Sequence, residues 1–394
     1  MAAPEPGGQR MLSPAFVALA AATLAFFVAG GIVLPVAALY ARGPLDAEAM
    51  GVGVAIGSFS IASLIMRPVV GWSSDRFGRR PLLVGGSVLT VAALAFHLVA
   101  TNLPLFIVAR SLLGIGEGFF FVAALAAASD IAPPARRGEA LSILSLSLYL
   151  GLAIGPAIGE TVLRAADYGA AWLVAAAFAL VAVVLSWFTP ETSAVVIRGG
   201  DEARNAGRFF HPAGIFPGVI ILTAAWGMGG FLTFLPLHAV EIGLDGAGLA
   251  LAAYGGLIVA LRIFGARLPD RLGAAPLAGT ALACSAIGLA ILGSVSLPIG
   301  MYAGAAIYAV GVAFTFPALV TFAVSRVPES ERGSVVGTTT LFLDLAFGIA
   351  PALLGFVAES AGYSGAFLVS AAIAGVGCLL IVARRGAMVR PAAA

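Results

Sequence analysis

The stretch Gly71-Trp72-Ser73-Ser74-Asp75-Arg76-Phe77-Gly78-Arg79-Arg80-Pro81 is the most charge-dense piece of a strongly apolar chain. It lies between long apolar runs at 49–66 and 82–101. With Arg67 just before it, the segment gathers four arginines and Asp75 into a span too short to be a domain. The expectation is a turn at a membrane surface, with its basic excess marking the cytoplasmic side. A related copy, Arg262-Ile-Phe-Gly265-Ala-Arg267-Leu-Pro-Asp270-Arg271-Leu-Gly273-Ala-Ala-Pro276, lies further along.

The surrounding composition sets the solvent. The chain is 61% hydrophobic and only 10% charged, with a mean hydropathy of +1.06. Soluble domains carry about 25% charged residues. A water-soluble fold would not bury this much apolar surface, so the chain is expected in lipid. Cys284 and Cys378 fall inside apolar runs and read as small packing residues. The histidines are scattered, and no metal, thiol or catalytic motif stands out, so no cofactor and no enzyme activity is expected. The first apolar run is too long for a cleaved signal peptide and is taken as a true span.

Apolar runs able to cross a bilayer, about 20 residues each, fall at 14–40, 49–66, 82–101, 104–128, 139–163, 170–189, 212–238, 246–266, 276–296, 299–325, 334–357 and 365–383. That predicts twelve transmembrane helices. If the N-terminus is cytoplasmic, eighteen arginines lie on or near the inner side. Only Arg42 and Arg164 lie outside, and Arg110 is within a span. This bias predicts both termini in the cytoplasm of a cell that holds the chain in its inner membrane.

The two halves of the chain repeat. A shift of 195 positions, with no gap, brings Arg67 onto Arg262, Asp75 onto Asp270, Arg76 onto Arg271, Gly78 onto Gly273 and Pro81 onto Pro276. It also brings Pro133 onto Pro328, Arg137 onto Arg332, Gly138 onto Gly333 and Pro156 onto Pro351. The predicted organisation is a six-helix bundle over 1–189, a cytoplasmic linker over 190–211, and a second six-helix bundle over 212–394. An all-α membrane fold of two six-helix repeats, related by an axis along the membrane normal, is one way secondary transporters are built.

At these residues the chain resembles the major facilitator superfamily, over about 14–385. Gly71, Asp75, Arg76, Gly78, Arg79 and Arg80 match the family's loop signature. The resemblance implies that Asp75 faces the start of the eleventh helix near Gly333, and that Arg79 pairs with Asp130. The alternative for the arginines is plain topogenic charge. In the fourth span, Arg110, Gly114 and Glu117 share one helical face and resemble the family's proton-transfer pattern, with Arg110 set to tune Glu117. In the fifth span, Gly151, Gly155, Pro156 and Gly159 resemble the helix motif of the family's antiporters. Glu160 stands where that motif has glycine, and an exposed position near the outer end is expected for it.

Asp344, in the eleventh span, is the other intramembrane acid, either protonatable or in contact with substrate. The sequence does not distinguish which of Glu117 and Asp344 carries a proton. His238 and Glu241 look interfacial, and His97 structural. Phe26, Tyr149, Trp226, Tyr254, Tyr308 and Phe314 are candidates to line a substrate cavity. The resemblance implies a monomeric, proton-coupled exporter of small lipophilic or amphipathic molecules, with drug or metabolite efflux as its role. Its partners would be a small molecule, protons and the bilayer, with no nucleic acid. The alternative is a proton-coupled importer of a sugar, organic acid or other metabolite.

Overall fold

The computed structural model describes residues 13–133, 136–192, 211–265, 268–328 and 331–384, apart from the side chains of Asp75, Pro269 and Asp270. Arg10, Arg198, Arg204, Arg208, Arg267, Arg385 and Arg390, and nearly all of the predicted linker, lie outside the described residues.

Every regular element among the described residues is helical. The first six are α1 (Pro14–Arg42), α2 (Ala49–Phe77), α3 (Arg79–His97), α4 (Leu103–Ile131), α5 (Arg137–Ala165) and α6 (Tyr168–Trp187). The second set begins with α7 (Pro212–Glu241), α8 (Gly248–Phe264), α9 (Ala274–Ser294) and α10 (Pro298–Val324). A final helix, Arg332–Ala383, is broken at Gly362 (φ 67, ψ 175) into α11 (332–361) and α12 (363–383). Among the described residues this gives twelve long helices, and a one-turn helix, Leu268–Leu272, lies between α8 and α9.

The ends follow local chemistry. Ser13, Asn102 and Asp167 each accept a backbone N–H of the first turn, at 3.2, 3.0 and 2.7 Å, supplying acceptors that a helix start lacks. Large apolar side chains such as Leu173, Leu249, Phe264 and Phe356 are exposed on the outer surface, as a lipid-facing helix requires.

The segment quoted at the outset differs from expectation. Residues 71–77 are not a turn but the last two turns of α2. The helix can run on because its charges have local partners: the Arg76 guanidinium lies 5.3 Å from the Trp72 ring and 5.8 Å from that of Phe77. The reversal is a single residue, Gly78 (φ 95, ψ 175), in a region that L side chains avoid. Its repeat counterpart Gly273 (φ 80, ψ 147) makes the same reversal before α9. Beside Gly78, the Glu191 carboxylate accepts the N–H groups of Arg79 (2.8 Å) and Arg80 (3.1 Å) and caps α3.

Twelve crossings bring both described chain ends to one face. We name it the arginine face, after Arg76, Arg79, Arg80, Arg136, Arg271, Arg326 and Arg332. At the opposite face the two sets of six helices meet closely. There α2 packs on α11, where a Cβ at Gly53 would collide with the Pro351 carbonyl and one at Gly355 with Ala49. Likewise α5 packs on α8, where Gly255 lies against Ala153.

Two carboxylates add to this seam. Glu160 on α5 accepts the N–H groups of Ala247 (2.8 Å) and Gly248 (2.6 Å), capping α8. Glu359 on α11 accepts the N–H of Met50 (2.9 Å), capping α2. The expectation of an exposed Glu160 is corrected: it is 3% exposed, because its helix end abuts the start of another helix. His238, expected at an interface with solvent, is likewise buried, with Nδ1 3.2 Å from Glu241.

Candidate functional site

The intramembrane charges gather on α2, α4 and α11. Gly114 brings α4 against α2 so closely that a Cβ there would strike the Phe59 carbonyl. That approach lets the Ser63 hydroxyl on α2 donate to Glu117 Oε2 at 3.1 Å. One turn along the same face of α2, Arg67 crosses to the other half of the chain. Its Nη2 is 2.5 Å from Asp344 Oδ2 on α11, and its Nη1 donates to Thr340 Oγ1 at 3.3 Å. Glu117 also lies within electrostatic reach of both Arg67 and Asp344. One face of α2 therefore joins two acids that belong to different halves.

Arg110 is not part of this chain of contacts, which corrects the expected coupling to Glu117. Seven residues of helix separate the two by about 10 Å of axial rise. The Arg110 guanidinium instead sits 5.1 Å from the Phe59 ring. Arg110 is 3% exposed, and its Nε has no hydrogen-bond partner. The cation close to both acids is Arg67, expected only as part of the charged segment at the membrane surface. Ser63 and Thr340 had no signal of their own in the sequence.

The repeat relates this site to a second one. Residues 67 and 344 correspond to 262 and 149 under the same shift. Arg262 on α8 does reach Tyr149 on α5, with its guanidinium 4.0 Å from the ring centroid. Behind it, Tyr254, Tyr308 and Phe231 form a cluster. Tyr254 and Tyr308 are stacked at 5.9 Å, and Phe231 lies 4.7 and 5.0 Å from them.

Of the six aromatic candidates, Tyr149 and Trp226 are half-buried. Phe26 is stacked on Phe120 at 4.1 Å, and Tyr308 is fully buried. Phe314 and Tyr254 are 8% and 7% exposed. In this conformation Phe26, Tyr254, Tyr308 and Phe314 pack helices together rather than wall a cavity, a correction to their expected place.

On the arginine face, Arg79 Nε lies 3.3 Å from Asp130 Oδ2. Arg79 Nη1 also donates to the Ser74 carbonyl and hydroxyl, at 2.6 and 2.9 Å. The Asp75 side chain lies outside the described residues. On α5, Gly151, Gly155, Pro156 and Gly159 all face α1. A Cβ on Gly155 would come within 2.6 Å of the Gly31 backbone, so only glycine permits this approach.

Apolar helices in two repeats, with Arg67 and Asp344 paired between the halves, define a multi-pass membrane protein of the secondary-transporter class. The Major Facilitator Superfamily model matches residues 18–347 and 219–393, and the chain belongs to that family. An uncharacterized MFS-type transporter of Salmonella typhimurium is 28% identical over 371 residues, covering 92% of this chain and 94% of the relative. Among solved structures, the nucleoside transporter NupG superposes with a TM-score of 0.78 at 12% identity, covering 95% of this chain and 100% of that one. The xylose transporter XylE of E. coli, in an inward-open conformation, does so with 0.76 at 18% identity, covering 95% and 96%.

Proposed function

We propose that this chain is a proton-coupled exporter of small lipophilic or amphipathic molecules, working by alternating access in a bacterial inner membrane. The arginine face is taken as cytoplasmic. The opposite seam is then the closed outer gate of an inward-facing state. The observation that carries the reading is the Arg67–Asp344 ion pair, which bridges the halves and shares one face of α2 with the contact to Glu117.

Burial favours the neutral form of a carboxylic acid unless a cation is close. A proton arriving at Asp344 removes the charge that holds Arg67, so the bridge loosens and the halves are free to rock. Glu117, joined through Ser63, is the second stop for that proton. A ligand or proton shifts the two access states only as far as it interacts differently with them, and a bridge between the halves is where such a difference arises. The export direction is supported by the antiporter-type face of α5: Gly151, Gly155, Pro156 and Gly159.

The test is transport in inverted vesicles under an imposed pH gradient, with fluorescent lipophilic substrates. Glu117→Gln and Asp344→Asn are expected to abolish gradient-driven movement while leaving exchange in the absence of a gradient. Gradient-driven transport that survives both substitutions would remove the coupling role. Movement in the direction of uptake would favour the importer reading.

A further inference from the structure

The repeat makes two equivalent crossings between the halves, and only one is charge-balanced. At the first crossing Arg67 meets Asp344; at the second Arg262 meets Tyr149, a ring with no charge. Arg262 is half-buried, its Nε is shielded without a hydrogen-bond partner, and no carboxylate among the described residues is paired with it. A guanidinium over an aromatic face gains about 0.5–2 kcal/mol. That is less than a bidentate, charge-assisted pair with a carboxylate or another oxyanion supplies. Arginine presents a planar fork of donors that suits a carboxylate or another oxyanion. Beside it stands the half-buried Tyr149 ring, a surface for an apolar body, with the buried Tyr254 packed behind it.

We infer that Arg262 and Tyr149 form an acceptor site for the acidic head of an organic anion, which takes the place that Asp344 fills at Arg67. The substrate class is an amphipathic monoacid, a carboxylate or sulfonate on an aromatic or aliphatic body. This deepens the exporter reading by naming the substrate's charge, and it rests on that reading only for the ligand's apolar body. Anionic phospholipid offers the same chemistry in its headgroup, so the test separates the two.

The experiment is equilibrium binding to the purified chain in neutral detergent, with no gradient, so its outcome is independent of proton coupling and direction. The probes are 2-naphthoate, decanoate and 2-naphthalenesulfonate, set against 2-naphthamide, which keeps the body and loses the charge. The acids are expected to bind and the amide to bind at least tenfold more weakly. Arg262→Gln is expected to weaken the acids roughly 10–100-fold, as loss of a charged hydrogen-bonding partner does, with Arg262→Lys intermediate. Tyr149→Asp supplies the missing counter-charge and is expected to expel the acids while raising thermal stability, which an unfolded variant would not do. Equal binding of amide and acid, acid binding that survives Arg262→Gln or Tyr149→Asp, or no binding of any acid overturns the inference. So does phosphatidylglycerol that displaces the acids at stoichiometric amounts, which would assign the site to lipid.

Discussion

Glu160→Gln is expected to weaken the closed seam at the opposite face. The carboxylate accepts two N–H groups at the start of α8, at 2.8 and 2.6 Å, and is buried. Hydrogen bonds to a charged group contribute roughly 1.5–3 kcal/mol each. Their dipole setting at a helix start adds up to about 2 kcal/mol where partly buried. Glutamine keeps one acceptor oxygen but loses the charge, and its amide nitrogen turns a donor toward a second donor. A net loss of about 2–4 kcal/mol follows, since the terms overlap and the opened state regains water. That moves the equilibrium between access states by roughly 30- to 1000-fold. Glu359 makes a single, exposed bond, so Glu359→Gln is expected to shift it less than about fivefold. Thr161 and Leu249 are exposed at the adjoining ends of α5 and α8. Spin labels on cysteines at those two positions, with Cys284 and Cys378 replaced by serine, read the separation by pulsed dipolar spectroscopy. The labelled parent is expected in one short-distance population, Glu160→Gln in a mixture with a longer one. An unchanged distribution in Glu160→Gln, at equal thermal stability, would refute the lock.

Other substitutions test the remaining contacts. Arg67→Gln leaves Asp344 without its cation. Because the two side chains are 38% and 19% exposed, the cost falls to about 1–3 kcal/mol from that of a fully buried pair. The double variant Arg67→Gln/Asp344→Asn is expected to recover more than half of the lost thermal stability, and purely additive losses would deny the pairing. Gly155→Leu drives a side chain into the Gly31 backbone and is expected to lower Tm by several degrees, as overpacking of about 1–3 kcal/mol or more does. Gly30→Ala, where no atom lies within 4 Å of the added Cβ, is expected to leave Tm unchanged or slightly raised. The first-half signature keeps Arg79 and Arg80 where the second half has Ala274 and Ala275. Asp75→Asn is therefore expected to slow transport more than Asp270→Asn at equal surface expression, and equal rates would count against that asymmetry.

Spans and the duplication were legible because each is local or repeated. A hydrophobic run needs no knowledge of its neighbours. Apart from Arg79–Asp130, which the family resemblance implied, contacts across the bundle were not legible, because they depend on which helix stands opposite. Arg110 and Glu117 share a helix face, yet each answers to a different part of α2: Phe59 for one, Ser63 for the other. Glu160 near a helix end reads as solvent-exposed until α8 is seen to begin against it, with orphan N–H groups that need an acceptor.

The repeat narrows this gap, since one known crossing predicts its mate. From Arg67–Asp344 the shift of 195 gives Arg262–Tyr149, and the structure makes both contacts. At the opposite seam it gives a looser match. Glu160 on α5 caps α8, and the equivalent helix α11 caps α2 through Glu359, four residues or one turn out of register with the repeat. Backbone symmetry thus survives where side-chain chemistry has drifted. A rocking motion needs the symmetric backbone, so that either face can close by the same packing. Directional transport of a particular molecule needs the two crossings to differ. The replacement of an acid by a tyrosine at one of two otherwise equivalent arginines is such a difference, and the proposed acceptor site would put the chain's chemical specificity at the interface of its halves rather than in the core of either.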